Sequence, residues 1–175
     1  MAGMLQKVVC FVLPLLATAQ LVAGSRAGIA FTPGFLTAQG TIAYGVAAEW
    51  ELPLAQKVSL RSDVYTLLGR PKESSLAQNY QAFVGLAYQF DPLWIMTPFA
   101  AFQPGFGLAE ADTPAHPGLL IYPALSPVFG MRLAVTDILD CTLALRYVFG
   151  ELHYRDTGAV YLSELRIALG LSLNL

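Results

Sequence analysis

The segment 41-TIAYGVAAEWEL-52 alternates almost without fault. Ile42, Tyr44, Val46, Ala48, Trp50 and Leu52 make one set; Thr41, Ala43, Gly45, Ala47, Glu49 and Glu51 make the other. Successive side chains of a strand point to opposite faces, so one face here is bulky and apolar and the other small or charged. Which of the two meets water decides what such a chain can become. The alternation recurs downstream. Tyr80, Ala82, Val84, Leu86, Tyr88 and Phe90 oppose Gln81, Phe83, Gly85, Ala87 and Gln89. Near the end, Leu165, Ile167, Leu169, Leu171 and Leu173 oppose Glu164, Arg166, Ala168, Gly170 and Ser172.

Eight strand-like segments follow one another: 28–35, 41–52, 57–68, 79–90, 95–109, 119–135, 140–153 and 160–175. Turn-forming residues separate them. Most run to ten residues or more, the length of a tilted membrane-spanning strand (about 9–11) rather than of a soluble one (about 5–6). The connections PLAQK, DPLW and TDILD are tight, while GRPKESSLAQN and EADTPAHPG are longer and polar. Short turns at one end and longer loops at the other suit a barrel that crosses an outer membrane.

Composition agrees. The chain is 55% hydrophobic and 13% charged, against about 25% charged in an ordinary soluble domain. Its mean hydropathy is +0.55, yet beyond the N-terminus no run approaches the roughly 20 apolar residues of a spanning helix. A net charge of −2 leaves no basic surface for nucleic acid. The first residues, MAGMLQK-VVCFVLPLL-ATA, read as a secretory signal peptide over 1–24, with cleavage near Ala19 to Gly24. Cys10 leaves with it, and Cys141 alone makes neither a disulfide nor a metal cluster.

A soluble lipocalin-like barrel would turn the bulky set inward. Eight strands enclose a space that side chains only just fill, and Trp50 with dozens of Leu, Ile, Val and Phe would overfill it. The small set carries Gly45, Gly85, Gly107, Gly130, Gly150 and Gly170, which suits a cramped lumen. The bulky set has no charge in mid-strand, where Arg or Lys facing lipid costs about 2–4 kcal/mol. The expected fold is therefore all-β: a closed eight-stranded antiparallel up-and-down transmembrane β-barrel over 25–175, with its greasy face on lipid.

That orientation sends Glu49, Glu51, Arg61, Asp63, Arg132, Arg146, Glu164 and Arg166 into the lumen. Counting outward from PLAQK sets Glu49 opposite Arg61, and counting from the last loop sets Arg146 opposite Arg166, with Glu164 beside them. Arginine's planar fork suits carboxylate pairing in a confined site, so these residues read as a neutralised plug. An ion-selective pore is the competing reading. Trp50, Tyr88, Phe90 and Trp94 are expected at the periplasmic interface, and Tyr80, Tyr147, Phe149 and Tyr161 at the outer one. Pro98, Pro104, Pro123 and Pro127 share the lipid-facing parity of strands five and six. None can donate to the ladder, so they either all face the seam between those strands or all face away from it. A local bulge is the plain account, and a lateral opening for a hydrophobic ligand the sharper one.

The stretches 97-TPFAAFQPGFGLAE-110, 124-ALSPVFGMRLAVTDILDCTLALRYVFGELHY-154 and 163-SELRIALGLSL-173 carry a resemblance. The pattern is Pro then Gly-x-Gly, a Gly-x-Arg strand, an acidic turn, an Arg-Tyr strand and a Leu-Arg-x-x-Leu-Gly finish. It resembles the small eight-stranded outer-membrane β-barrels, the group of the outer-membrane protein A transmembrane domain and outer-membrane protein X. That resemblance implies membrane anchoring, envelope integrity, adhesion or host contact. It also implies outer-membrane lipids as surroundings, and barrel assembly machinery and periplasmic chaperones as partners in biogenesis. The family usually ends on an aromatic residue; Leu175 departs from that.

A monomer without cofactor or metal is expected, with a structural or surface-interaction role. The alternative is a channel or lateral-gate carrier for small hydrophobic molecules. His116, in PAHPG, reads as a solvated loop residue. Glu151, His153 and Ser163 are expected together at the outer rim, where outer-membrane lipid A hydrolases on a similar scaffold keep a His-x-Ser-Asn pattern. Here that place reads His153-Tyr154-Arg155-Asp156, so an enzyme is not expected.

Overall fold

A computed structural model describes residues 24–69, 71, 76–111, 119–154 and 158–175. The signal segment, Gly24 excepted, and His116 lie outside these. The strands are β1 (Arg26–Leu36), β2 (Thr41–Pro53), β3 (Val58–Leu67), β4 (Leu76–Gln89), β5 (Met96–Ala111), β6 (Leu119–Ala134), β7 (Leu139–Tyr154), β8 (Gly158–Tyr161) and β9 (Glu164–Asn174). From β1 to β7 each pairs antiparallel with the next, β9 pairs with β7, and β9 closes the sheet onto β1. At the closure Gly24 N donates to Leu175 O at 2.8 Å.

β8 and β9 are one stave of the wall, since both keep the same register along β7. The expected last strand, 160–175, is interrupted at Leu162–Ser163 for a local reason. There β1 has turned away, and Thr37 spends its amide and its Oγ1 on the Ser163 carbonyl, each at 3.0 Å. The wall is thus an eight-stranded closed barrel, as the sequence predicts.

Gly28, Glu49, Asp63, Phe83, Gly105, Ala124 and Gly150 face one another in succession around it. This path starts near the beginning of β1 and ends high on β7, the stagger that tilted, closed strands require. The start of β1, the end of β9 and the turns at 54–57, 90–95 and 135–138 share one end, the turn end; the longer loops mark the other.

Two turns share one hydrogen-bond pattern. Val58 O accepts from Leu54 N and Ala55 N, both at 2.9 Å, and Leu139 O accepts from Val135 N at 2.9 Å and Thr136 N at 3.0 Å. The extra amide moves the centre of the first turn one residue beyond the middle of PLAQK. The expected Glu49–Arg61 rung is therefore corrected: Glu49 faces Asp63, and Glu51 faces Arg61. In the third turn Leu93 and Met96 exchange bonds of 2.7 and 3.1 Å around Trp94–Ile95. Trp94 holds φ at 66°, a left-handed conformation that costs a bulky residue about 1–3 kcal/mol. Lys57 Nζ and Asp91 Oδ1 meet at 2.7 Å beside these turns, and the hydrogen bond to Asp91 lifts Lys57 above the usual lysine range.

The prolines face away from the β5–β6 seam. That ladder runs unbroken from Met96↔Leu133 to Glu110↔Leu119. Phe90 N donates to Pro98 O at 2.9 Å, so the polar edge of Pro98 points to β4. Pairing lapses between Phe83↔Gly105 and Leu86↔Phe102 on one flank, and between Leu125↔Phe149 and Val128↔Arg146 on the other. The bonds the prolines cannot make are therefore missing on the two flanks, and the β5–β6 ladder itself is continuous.

Candidate functional site

Ile29, Phe31, Phe102, Phe129, Leu145 and Leu169 are exposed on the outside of the wall. The inside is filled. Its glycines make room for rings: a Cβ on Gly130 would stand 2.5 Å from Phe99 Cζ, and Cβ atoms on Gly45 and Gly107 would strike the rings of Tyr65 and Tyr122. Polar residues occupy the lumen from the turn end upward. Toward the loop end a cluster that includes Leu36, Leu76, Ala109, Val148 and Leu162 closes it.

All eight charged residues singled out in the sequence line this interior, Glu49 half-buried and the others buried. Arg132 Nη2 (β6) donates to Glu51 Oε2 (β2) at 2.5 Å. Arg146 Nη2 (β7) donates to Asp63 Oδ2 (β3) at 2.6 Å. Arg166 Nη2 (β9) donates to Gln81 Oε1 (β4) at 2.7 Å and to Glu164 Oε2 at 2.6 Å. In a wall of eight staves, β2 and β6, β3 and β7, and β4 and β9 stand opposite one another, so these bonds cross the lumen as braces.

Arg61 Nη2 reaches Glu49 Oε2 at 2.7 Å and its Nε reaches Asp63 Oδ1 at 3.3 Å. The Glu49–Arg61 pair thus exists as a diagonal contact. Arg146 and Arg166 do face each other across neighbouring staves. Gln103 ties Arg146 to the Arg61–Asp63 pair: its Nε2 donates to Asp63 and to Arg61 O, and its Oε1 accepts from Arg146 at 2.9 Å. Rings serve as dielectric spacers. Arg61 and Arg132 each lie 4.9 Å from the Phe99 centroid, and Arg166 lies 3.4 Å from that of Tyr65. Guanidinium over an aromatic face is attractive, most so where water is excluded.

Sequence reasoning missed several members. Arg26 Nε contacts Asp140 Oδ2 at 3.0 Å, and its Nη1 lies 3.6 Å from Glu51 Oε1. Tyr122 Oη donates to Asn79 Oδ1 at 2.8 Å and accepts from Gln81 Nε2 at 2.7 Å. The signal for all of these was parity: each shares the inward-facing set of its strand, but Arg26 precedes the expected start of strand one and the amides carry no charge. At the turn end Arg26, Glu49, Arg132, Thr142 and Ser172 line a cavity of about 10 Å³, room for one water.

Trp50, Tyr88, Phe90 and Trp94 lie toward the turn end, and Tyr80, Tyr147, Phe149 and Tyr161 toward the loop end. Trp50, Tyr80 and Tyr147 are half-buried and the rest exposed. Tyr88–Phe90 and Tyr147–Phe149 meet edge to face, with centroids 5.1 and 4.5 Å apart. Ser163 lies half-buried on the outer face, and the His153 side chain is outside the described residues. Among the described residues no group of three or more His, Cys, Asp and Glu could hold a metal.

An apolar exterior around a filled, ion-paired interior defines a small transmembrane β-barrel of the outer-membrane type. No family model and no curated protein matches the sequence. In fold the chain is similar to neisserial surface protein A, with a TM-score of 0.66 at 13% identity over 86% of this chain and 96% of that one. It is similar also to the N-terminal β-barrel domain of Pseudomonas aeruginosa OprF, with a TM-score of 0.63 at 13% identity over 87% and 98%. For Ail, the attachment invasion locus protein of Yersinia pestis, the TM-score is 0.56 at 8% identity over 88% and 100%. The likeness is one of fold.

Proposed function

We propose that this protein is a closed, non-enzymatic barrel of the bacterial outer membrane. It is held in outer-membrane lipid by its exterior and offers its loop end as a structural or contact surface. The observation that carries this reading is the lumen: three braces join opposite staves, and above them a cluster of buried aliphatic and aromatic side chains fills the passage. An ion on the axis would have to break buried charge pairs and then pass a largely apolar layer whose Asn79, Gln81 and Tyr122 groups are already bonded to one another. The acids and arginines are mutually paired and leave no single-sign ring to select an ion.

Planar-bilayer recording of the purified, folded protein tests it. A silent bilayer is expected; steady unit conductance steps would overturn the reading. Lipid A acylation measured by mass spectrometry with and without the protein is expected to be unchanged.

A further inference from the structure

The small cavity at the turn end is walled by residues of β1, β2, β3, β6, β7 and β9. Three of them are arginines, Arg26, Arg61 and Arg132, and two are acids, Glu49 and Glu51. A side chain on Gly28 would begin 2.8 Å from Ser172 Cβ, so the bare backbone there leaves room beside the serine.

The three arginines share one carboxylate. Glu51 stands 2.5 Å from Arg132, 3.6 Å from Arg26 and 4.0 Å from Arg61. It also accepts from Ser59 at 2.7 Å and from Gln89 at 2.9 Å. Arg26 has Asp140 besides, and Arg61 has Glu49 and Asp63. Arg132 has no second carboxylate among the described residues. It is 4% exposed, and its Nε and Nη1 are buried without a hydrogen-bond partner. Ser172 Oγ, on a residue 5% exposed, is buried without one as well. A guanidinium can only donate, and a buried donor left without an acceptor is costly, more so when charged.

We propose that this cavity binds one monatomic anion, a halide such as chloride, with Arg132 as its anchor and Ser172 as a second donor. A space of about 10 Å³ holds a single guest of that size and excludes phosphate, sulfate and carboxylate groups. The lining carries three positive charges against two negative ones, so a negative guest completes the count. A water fits the space too, but it needs acceptors for its own two hydrogens, and Glu51 is already engaged by the contacts above. Glu49 and Glu51 oppose an anion, yet each is held by an arginine, at 2.7 and 2.5 Å, so binding is weak rather than absent. The site ends blind. Phe99 packs against both Arg61 and Arg132, 4.9 Å from each, and the bonds across the lumen still close the axis, so a silent bilayer is compatible with it.

Crystals of the folded protein grown with bromide in place of chloride test the guest directly, because bromide scatters anomalously and water does not. One anomalous peak is expected in the cavity, within hydrogen-bonding reach of Arg132 and Ser172. Density there without anomalous signal is a water and would overturn the site. In vesicles, chloride is exchanged for gluconate, which is too bulky for the cavity, at constant ionic strength. Chloride should raise the urea midpoint of the wild type in a saturating way; no rise would count against the site. The increment should vanish in Arg132→Met and shrink in Ser172→Ala, which keeps every arginine. An increment equal in wild type and both variants is a general salt effect on apolar surface, and it would overturn the anchoring role of Arg132.

Discussion

Asp63 shows how much a single residue carries in this lumen. It accepts from Arg146 at 2.6 Å and lies 3.3 Å from Arg61 Nε, with Gln103 as a further donor. Desolvating three charges together is tolerable only while each is answered, and breaking a buried pair by removing one partner costs about 3–5 kcal/mol. Asp63→Ala should lower stability by that order in urea titrations of protein folded into vesicles. Adding Arg146→Met should recover much of the loss, because the stranded charge goes with it; a strictly additive double variant would refute the pairing. Glycines set the complementary limit. With Phe99 Cζ 2.5 Å from the place of a Cβ on Gly130, Gly130→Ala should cost about 1–3 kcal/mol by overpacking, seen as a lower urea midpoint with an unchanged slope.

At the scale of the strand, the two faces answer to different solvents. Leu169 stands 53% exposed in the middle of β9, so Leu169→Arg should cost about 2–4 kcal/mol in a bilayer. The same change in detergent micelles, where the head can reach water, should cost less. A similar penalty in both would mean that Leu169 does not face hydrocarbon. This two-faced character is why the strands could be read without a structure: a period of two with bulky residues on one parity fixes strand, face and surroundings together. Registers were less accessible. The Glu49–Arg61 rung failed because one additional amide, that of Leu54, joins the turn at Val58, and no residue type in PLAQK announces it. The braces were not legible either. Opposite staves are separated by about half the chain's turns, and nothing local in the sequence couples Arg132 to Glu51. The inward rings of Tyr65, Phe99 and Tyr122 were visible as parity, but not their seating over glycines on neighbouring strands.

For the whole molecule, the two tryptophans should report its seat in the membrane. Trp94 is 97% exposed at the tip of its turn, while Trp50 is half-buried on the outer wall. In single-tryptophan variants, iodide in the aqueous phase should quench Trp94 strongly and Trp50 weakly, and brominated lipid should reverse the order. Equal quenching of both would contradict this seating. The cross-lumen bonds bear on how such a body comes into being. Arg132 and Arg146 each find their carboxylate on the far side of the ring, so no open, half-finished sheet can satisfy them. A nascent curl of strands would hold naked guanidinium groups over hydrocarbon until the final stave meets the first. Assembly should therefore accumulate no stable partial barrel: the charges that seal the finished protein also make its completion an all-or-none event.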